Sequence, residues 1–179
     1  MNPSFATLAA AALLSACSMS PMTMGPSVDN AALPEAVRVP SGQTLRMVAT
    51  GVGEITYECR EKAAAAGQYE WAFVGPVATL YSADKRNVGK YYAGPTWEAS
   101  DGSKVTGKQL AVSPAAPGNI PMQLVKTDPA MGAGAMTGVS YIQRLNTKGG
   151  VAPAAVCDAG VKGKRQTVAY EADYAFYGG

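Results

Sequence analysis

Acid–base chemistry in this sequence would have to rest on carboxylates, because the chain contains no histidine. A pair of carboxyl groups is enough for glycoside hydrolysis, in which one acts as the acid and the other as base or nucleophile. The candidates on predicted strands and turns are Glu54, Glu58, Glu70, Glu98 and Asp101. Because outward-pointing strand carboxylates are ordinary surface residues, we assign no catalytic residue. A histidine-free hydrolase of extracellular polysaccharide is therefore the alternative hypothesis for this chain.

The absence of histidine also excludes other reaction classes. Neither a Ser-His-Asp triad nor a Cys-His pair can form, and metal sites built on histidine are ruled out. Residues 82–85 match Ser-x-x-Lys, but the partner motifs of that nucleophile are missing and the segment is typical of a turn at a strand end. Two Gly-x-Gly segments, at 51–53 and 132–134, lack the strand–loop–helix setting of a phosphate-binding loop. We therefore expect no metal and no cofactor.

A cluster of aromatic and turn-forming residues between positions 87 and 108 is the candidate ligand-binding site. It contains Tyr91, Tyr92, Trp97 and Asp101. If a kinked strand presents these side chains, they form an aromatic cleft with a carboxylate at its edge. In the other interpretation the rings fill the core and Asp101 caps its own turn, which is the commoner role of an Asp-Gly pair. Both interpretations stay open from the sequence.

The backbone of this cluster is predicted from its glycines and prolines. Ala93-Gly94-Pro95 favours a kink or bulge inside a strand, since proline cannot donate to a strand ladder. Asp101-Gly102 predicts a hairpin turn between residues 96–99 and 104–107. The expected structure is a kinked strand, a tight turn and a return strand.

Strand patterns also dominate the rest of the sequence. Residues 54–59 alternate so that Ile55, Tyr57 and Cys59 share one face. The last strand, residues 166–177, places five side chains on one face: Val168, Tyr170, Ala172, Tyr174 and Phe176. Many short strands separated by turns predict an all-β, single-domain antiparallel fold, either a sandwich or a barrel-like structure.

The remaining elements follow from the same patterns. Further strands are predicted at residues 44–50, 69–74, 77–81, 121–126 and 137–145. In the second of these, Tyr69, Trp71 and Phe73 are expected to face the core. The segments expected to interrupt the strands are Gly51-Val52-Gly53 as a turn, Gly75-Pro76 as a break and residues 62–67 as a single helical turn.

The N-terminus predicts export. Residues 6–14 form an apolar run that is too short to span a bilayer and has the length of a signal-peptide core. It ends in Leu14-Ser15-Ala16-Cys17, which resembles a bacterial lipobox, although no basic residue precedes the run. We expect residues 1–17 to be a lipoprotein signal with Cys17 lipidated, residues 18–32 a flexible linker and residues 33–179 the domain. The alternative is an ordinary secretory signal.

Two cysteines remain once Cys17 is set aside. Cys59 and Cys157 form an even pair in an exported chain, and oxidising compartments favour their pairing. Two reduced thiols or a metal-binding pair is the alternative, but two cysteines without histidine do not make a zinc site. We therefore predict one structural disulfide.

Several segments resemble the DUF3455 family, a set of exported bacterial and fungal proteins of unknown function. The resemblance rests on LPEAVRVPSGQTL, YYAGPTWEASDGSKV and GVSYIQRLNTKGGVAPAAVC, together with the strands ITYEC and WAF. It extends over about residues 33–177. Family members often carry a histidine at the position of Tyr91, so any role of that histidine is absent here. The resemblance implies an exported domain with a Cys59–Cys157 disulfide and no established activity.

The sequence favours a binding or structural module over an enzyme. The net charge of +2 is too small to indicate nucleic acid as a partner. The expected partners are the membrane, through the lipid on Cys17, and an envelope glycan or protein. The expected location is the cell envelope, as a lipoprotein of the outer membrane, or otherwise the secreted fraction.

Overall fold

The computed structural model describes residues 27–179, and nearly all of this part of the chain is built from β-strands. The predicted signal peptide 1–17, its Cys17 and most of the linker 18–32 lie outside the described residues. The strands are β1 (Thr44–Glu61), β2 (Tyr69–Tyr81), β3 (Asn87–Tyr92), β4 (Thr96–Ala99), β5 (Lys104–Ser113), β6 (Met122–Thr127), β7 (Tyr141–Gly149) and β8 (Arg165–Gly178). Three short 3₁₀ turns span Asn30–Ala32, Glu35–Val37 and Ala159–Val161.

The strands form one antiparallel sheet that closes on itself. Each strand pairs with the next along the chain, and β8 pairs with β1 to complete a closed barrel. The all-β antiparallel prediction is confirmed, and of the two predicted architectures the barrel is the one that forms. The barrel is uneven, because β1 has 18 residues whereas β4 has only 4.

Up-and-down connections give this barrel two different ends. The connections β1–β2, β3–β4, β5–β6 and β7–β8 gather at one end, which we call the open end. The other connections and the start of β1 gather at the closed end. There the β6–β7 loop inserts the fully buried Met136, and its backbone N–H donates to Ser103 Oγ in the β4–β5 turn at 3.1 Å. For this reason β7 begins at Tyr141, four residues after the predicted start at residue 137.

The barrel interior follows the predicted alternation in most strands. Ile55, Tyr57 and Cys59 are buried, as predicted for β1. The inward face of β8 is confirmed at its buried positions, which are Tyr170, Ala172, Tyr174 and Phe176. In β2, Trp71 and Phe73 pair with Cys59 and Tyr57 and so lie on the inward face, as predicted, but Phe73 is 58% exposed and Trp71 only half-buried at the open end. An aromatic alternation identifies one face of a strand but does not tell how much of that face is covered.

Two glycines that predicted a turn lie inside β1 instead. Residues 51–53 continue the strand, and a side chain would not fit at either glycine. A Cβ on Gly51 would lie 2.7 Å from the Tyr174 ring, and one on Gly53 would lie 2.0 Å from the Val77 carbonyl oxygen. These glycines therefore allow close packing rather than chain reversal.

The predicted break at Gly75-Pro76 and the predicted helical turn at 62–67 were also wrong. Strand β2 runs through residues 75 and 76, and the irregularity there is a register shift against β1 at Thr56/Tyr57. Such a bulge absorbs an extra residue without ending the strand. Residues 62–67 form tight turns between β1 and β2.

The segment before β1 packs on the outside of the barrel. Val37 and Val39 join Leu124 and Leu145 in a second buried cluster on the outer face of β6 and β7. The fully buried Gln143 donates from Nε2 to the Val37 carbonyl at 2.6 Å, which fixes the segment in register.

Cys59 and Cys157 form a disulfide, as predicted, with 5.5 Å between their Cα atoms. The bridge ties the end of β1 to the β7–β8 loop, at the open end of the barrel. Within residues 27–179, none of the helices has the length and apolar character needed to span a bilayer.

Candidate ligand-binding cavity

Residues 93–95 form a turn rather than a kink. Strands β3 and β4 pair antiparallel through Tyr92↔Thr96 and Tyr91↔Trp97, so the chain reverses at Ala93-Gly94-Pro95. Gly94 has a φ of +108°, a conformation that glycine adopts readily. The prediction of one kinked strand was therefore wrong, whereas the Asp101-Gly102 turn between β4 and β5 is confirmed.

The paired residues Tyr91 and Trp97 face the barrel interior. Their rings stack with centroids 4.7 Å apart, and the Tyr174 ring lies 5.1 Å from that of Tyr91. Trp97 is fully buried and Tyr91 is 5% exposed. Trp97 thus forms part of the core beneath Tyr91.

Tyr92 faces the outside of the barrel. Its hydroxyl donates to Glu98 at 2.7 Å, and Lys90 forms an ion pair with the same carboxylate at 3.1 Å. The Tyr92 hydrogen bond and the Lys90 charge lower the pKa of Glu98. Since alternate strand residues point to opposite faces, Tyr91 and Tyr92 cannot contact one ligand molecule inside the barrel.

Asp101 lies at the closed end, where it organises two loops. Its carboxylate accepts from the Ser103 N–H at 2.9 Å, the Ser103 hydroxyl at 2.6 Å and the Ala135 N–H at 2.7 Å. These hydrogen bonds, that of the Ser103 hydroxyl foremost, lower the pKa of Asp101. Gly134 is required beside it, because a Cβ there would lie 2.3 Å from the carboxylate. The four predicted site residues are thus divided among the interior, the outer face and the closed end.

The open end of the barrel encloses a cavity of about 570 Å³. Tyr91 is the predicted site residue that lines it, together with the turn residues 93–95. Side chains from β1, β2, β5, β6 and β7 complete the wall. The other lining residues are Ile55, Tyr57, Phe73, Val74, Pro76, Gly107, Lys108, Gln109, Ile120, Pro121, Gln123 and Arg144.

Arg144 is the charged residue whose side chain faces the cavity, because Lys108 pairs with Lys126 and its side chain points to the outer face. Arg144 is half-buried, and its Nε and Nη2 both donate to the Pro121 carbonyl, at 3.2 and 2.9 Å. Within residues 27–179, neither Arg144 nor Lys108 forms an ion pair. The cavity therefore carries positive charge that the lining itself does not balance.

Tyrosine hydroxyls lie beside the Arg144 charge. Tyr57 donates to the Gly150 carbonyl at 2.7 Å, which holds the β7–β8 loop against the cavity. Burial raises the pKa of Tyr57 and of Tyr91, and the positive charge of Arg144 opposes that rise in both. Both phenols are consequently neutral hydrogen-bonding groups at physiological pH.

The carboxylates considered for hydrolysis do not meet in this cavity. None of Glu54, Glu58, Glu70, Glu98 and Asp101 is among its lining residues. Glu58 is engaged on the outer surface by Arg60 at 2.8 Å and Arg165 at 2.7 Å, and these hydrogen bonds lower its pKa to about 2. Across residues 27–179, no group of three or more His, Cys, Asp and Glu side chains could hold a metal ion.

The polar groups of the cavity were missed from the sequence. Arg144 and Ile142 lie on the same face of β7, and Ile142 is fully buried. A cation that shares a face with core residues signals an inward-facing charge. Gln109 and Gln123, which hydrogen-bond to each other at 2.6 Å, carried no such signal because polar residues at strand ends are common.

Comparison with known proteins places the chain in one family. No curated protein and no solved structure matches it. The model of the DUF3455 family, described as a protein of unknown function, matches residues 40–178, which include all eight strands and both bridged cysteines. The chain therefore belongs to the DUF3455 family.

Proposed function

We propose that this protein is an exported binding module that holds a small molecule inside the open end of its barrel. The observation that supports this proposal is the cavity at the open end. An eight-stranded barrel has an interior just wide enough to be filled by side chains or to hold one small ligand. Here Trp97, Met136, Tyr174 and Phe176 are all fully buried and fill the barrel beneath the cavity, which leaves about 570 Å³ at the open end.

The size and lining of the cavity fit a small molecule better than a macromolecule. Ligand sites have volumes of about 300–1,000 Å³, mostly apolar walls and a few polar groups. The polar residues here include Tyr91, the Gln109–Gln123 pair and Arg144. Of the envelope partners expected from the sequence, a glycan or a protein would engage the rim rather than enter the cavity.

The disulfide supports a place outside the cytoplasm, where such bonds persist. A lipid on Cys17 would hold the module at the outer membrane through the linker 18–32. Mass spectrometry of the membrane fraction tests this part of the proposal. Diacylglycerol on Cys17 is expected, and a mature chain without it would leave a secreted protein.

The cavity is tested by fluorescence titration with N-phenyl-1-naphthylamine, a neutral apolar probe. The mature chain is used with Cys17→Ser, which removes the predicted anchor. Gln109→Trp puts an indole into the lining, whereas Leu110→Trp puts the same group on the neighbouring residue, which is 56% exposed and does not line the cavity. Binding lost in Gln109→Trp and kept in Leu110→Trp supports the proposal. Absent binding, or equal loss in both variants, contradicts it.

A further inference from the structure

The geometry points to the chemistry of the ligand: we infer that the cavity takes an apolar molecule with one carboxylate, which binds to Arg144. This inference rests on the proposed small-molecule function and makes it specific. It follows from the charge of the lining, the orientation of Arg144 and the apolar wall around it.

The charge of the lining favours an anion. The Arg144 side chain faces the cavity, and no carboxylate of the described residues lines it. Among residues 27–179, Arg60 and Arg165 pair with Glu58, and Arg86 pairs with Asp84 at 2.6 Å on the surface. Within the same residues, Arg38 and Arg46 form no ion pair either, but they lie outside the cavity. A half-buried cation without a counter-charge is less well solvated than one in water, and an anion beside it restores the lost interaction.

Arg144 is also held in place before any ligand binds. Its two hydrogen bonds to the Pro121 carbonyl use Nε and Nη2, and Nη1 has no partner among residues 27–179. Arg144 lies between Gln123 and Tyr174 on the neighbouring strands, so its position is fixed from both sides. A planar guanidinium held in this way offers its remaining N–H groups to a carboxylate at little cost in side-chain entropy.

The wall of the cavity favours an apolar body on the ligand. The apolar residues that line the cavity include Ile55, Phe73, Val74, Pro76, Ile120 and Pro121. Phe73 lies at the rim with its ring 6.0 Å from that of Tyr57, and it is 58% exposed. A large aromatic side chain that is solvated in the free protein gains burial when an apolar ligand covers it. The Gln109 and Gln123 amides are joined by one hydrogen bond, from Gln123 Nε2 to Gln109 Oε1, and the wall residues named above are apolar.

The test compares amphiphiles that share one hydrocarbon chain and differ in their head group. Decanoate, 1-decanol and decyltrimethylammonium each compete with N-phenyl-1-naphthylamine for the mature Cys17→Ser chain. We expect decanoate to displace the probe at a concentration at least about tenfold lower than decanol, as a charge-assisted hydrogen bond requires. The trimethylammonium compound is expected to compete least.

Two arginine variants assign this preference to a residue. Arg144→Met keeps the length of the side chain and is expected to lose the roughly tenfold preference for decanoate while decanol competes as before. Arg38→Met is the matched control, because Arg38 likewise donates to a carbonyl, that of Leu33 at 2.7 Å, but lies outside the cavity. Arg144→Lys keeps the charge and is expected to retain part of the preference.

The outcomes separate the carboxylate inference from the binding function. Probe binding with equal competition by decanoate and decanol overturns the carboxylate inference and leaves the binding function standing. The carboxylate inference also fails if Arg38→Met and Arg144→Met lose the preference alike. Absence of probe binding overturns both. If Arg144→Met does not fold, the parent chain supplies the test. A decanoate preference that is lost in high salt supports the carboxylate inference, since an ionic contact is screened, and a preference that salt leaves unchanged contradicts it.

Discussion

Removing the Cys59–Cys157 bridge should lower the free energy of unfolding by about 4–5 kcal/mol. The two cysteines are 98 positions apart in the sequence, and closing a loop of that length in the unfolded chain costs entropy that the bridge removes in advance. Domains of this size have unfolding free energies of only about 5–15 kcal/mol. The same loss corresponds to a fall in melting temperature of roughly 10–20 °C. The bridge is therefore a major part of the stability of the barrel.

The assay is urea unfolding of the intact chain, the dithiothreitol-reduced chain and the double variant Cys59→Ala/Cys157→Ser. All carry Trp71→Phe, so that the fully buried Trp97 reports on the core alone. Reduction and substitution should agree, because both remove the same cross-link. The m-value should rise on reduction, since the unfolded chain becomes more expanded and exposes more surface.

A second measurement separates loop release from global unfolding. In the parent chain Trp71 Nε1 donates to the Ala155 carbonyl at 2.8 Å, inside the loop that the bridge holds. Reduction without denaturant should change the fluorescence of the parent chain, through Trp71. The fluorescence of the Trp71→Phe chain, which comes from Trp97 alone, should stay constant. A loss of less than about 1 kcal/mol would refute the loop-closure argument. It would mean that contacts such as Tyr57 to Gly150 hold the loop without the bridge.

Three further perturbations test local contacts. Because the pKa of Glu58 is lowered, its ion pairs contribute their full stabilisation above pH 4.5 and lose it as the pH falls towards 2. In acid titrations of the melting temperature, Glu58→Gln should flatten this pH dependence, and the control Glu54→Gln should leave it unchanged. Asp101→Ala should lower the urea midpoint with probe affinity unchanged, because the Ala135 and Ser103 N–H groups lose their acceptor; lost affinity would contradict its placement at the closed end. Gln143→Leu should cost about 1–3 kcal/mol, because the buried Val37 carbonyl loses its donor, and undiminished stability would contradict that bond's importance.

The sequence predicted the parts of the fold that depend on local pattern. Alternation in β8 and in the second half of β1 identified buried faces, because both strands have one face against the core. The pairing of Cys59 with Cys157 followed from counting cysteines in an exported chain. These inferences need no knowledge of which strands become neighbours.

The wrong predictions concern residues whose place depends on a distant partner. Glycine is typical of a turn, yet Gly51 lies in the middle of β1. It is glycine there because the Tyr174 ring, 123 positions later, occupies the space that a side chain would need. Phe73 lies on the inward face but is 58% exposed, because nothing in β2 itself tells that the barrel is open at that end. Arg144 was not identified from the sequence, because its position in a cavity depends on how the strands close into a barrel.

The turn at residues 93–95 explains why there is an opening at all. A kinked continuous strand would have extended the wall between β2 and β5, whereas the observed turn ends β3 after 6 residues and returns the chain along a β4 of only 4. The strands are therefore short on this side of the barrel, and the turn at residues 93–95 forms part of the cavity lining. Gly75 allows Ala93 to rest directly on β2, because a Cβ at that position would lie 2.6 Å from the Ala93 side chain. Gly94-Pro95 thus shapes the entrance of the cavity that Arg144 lines.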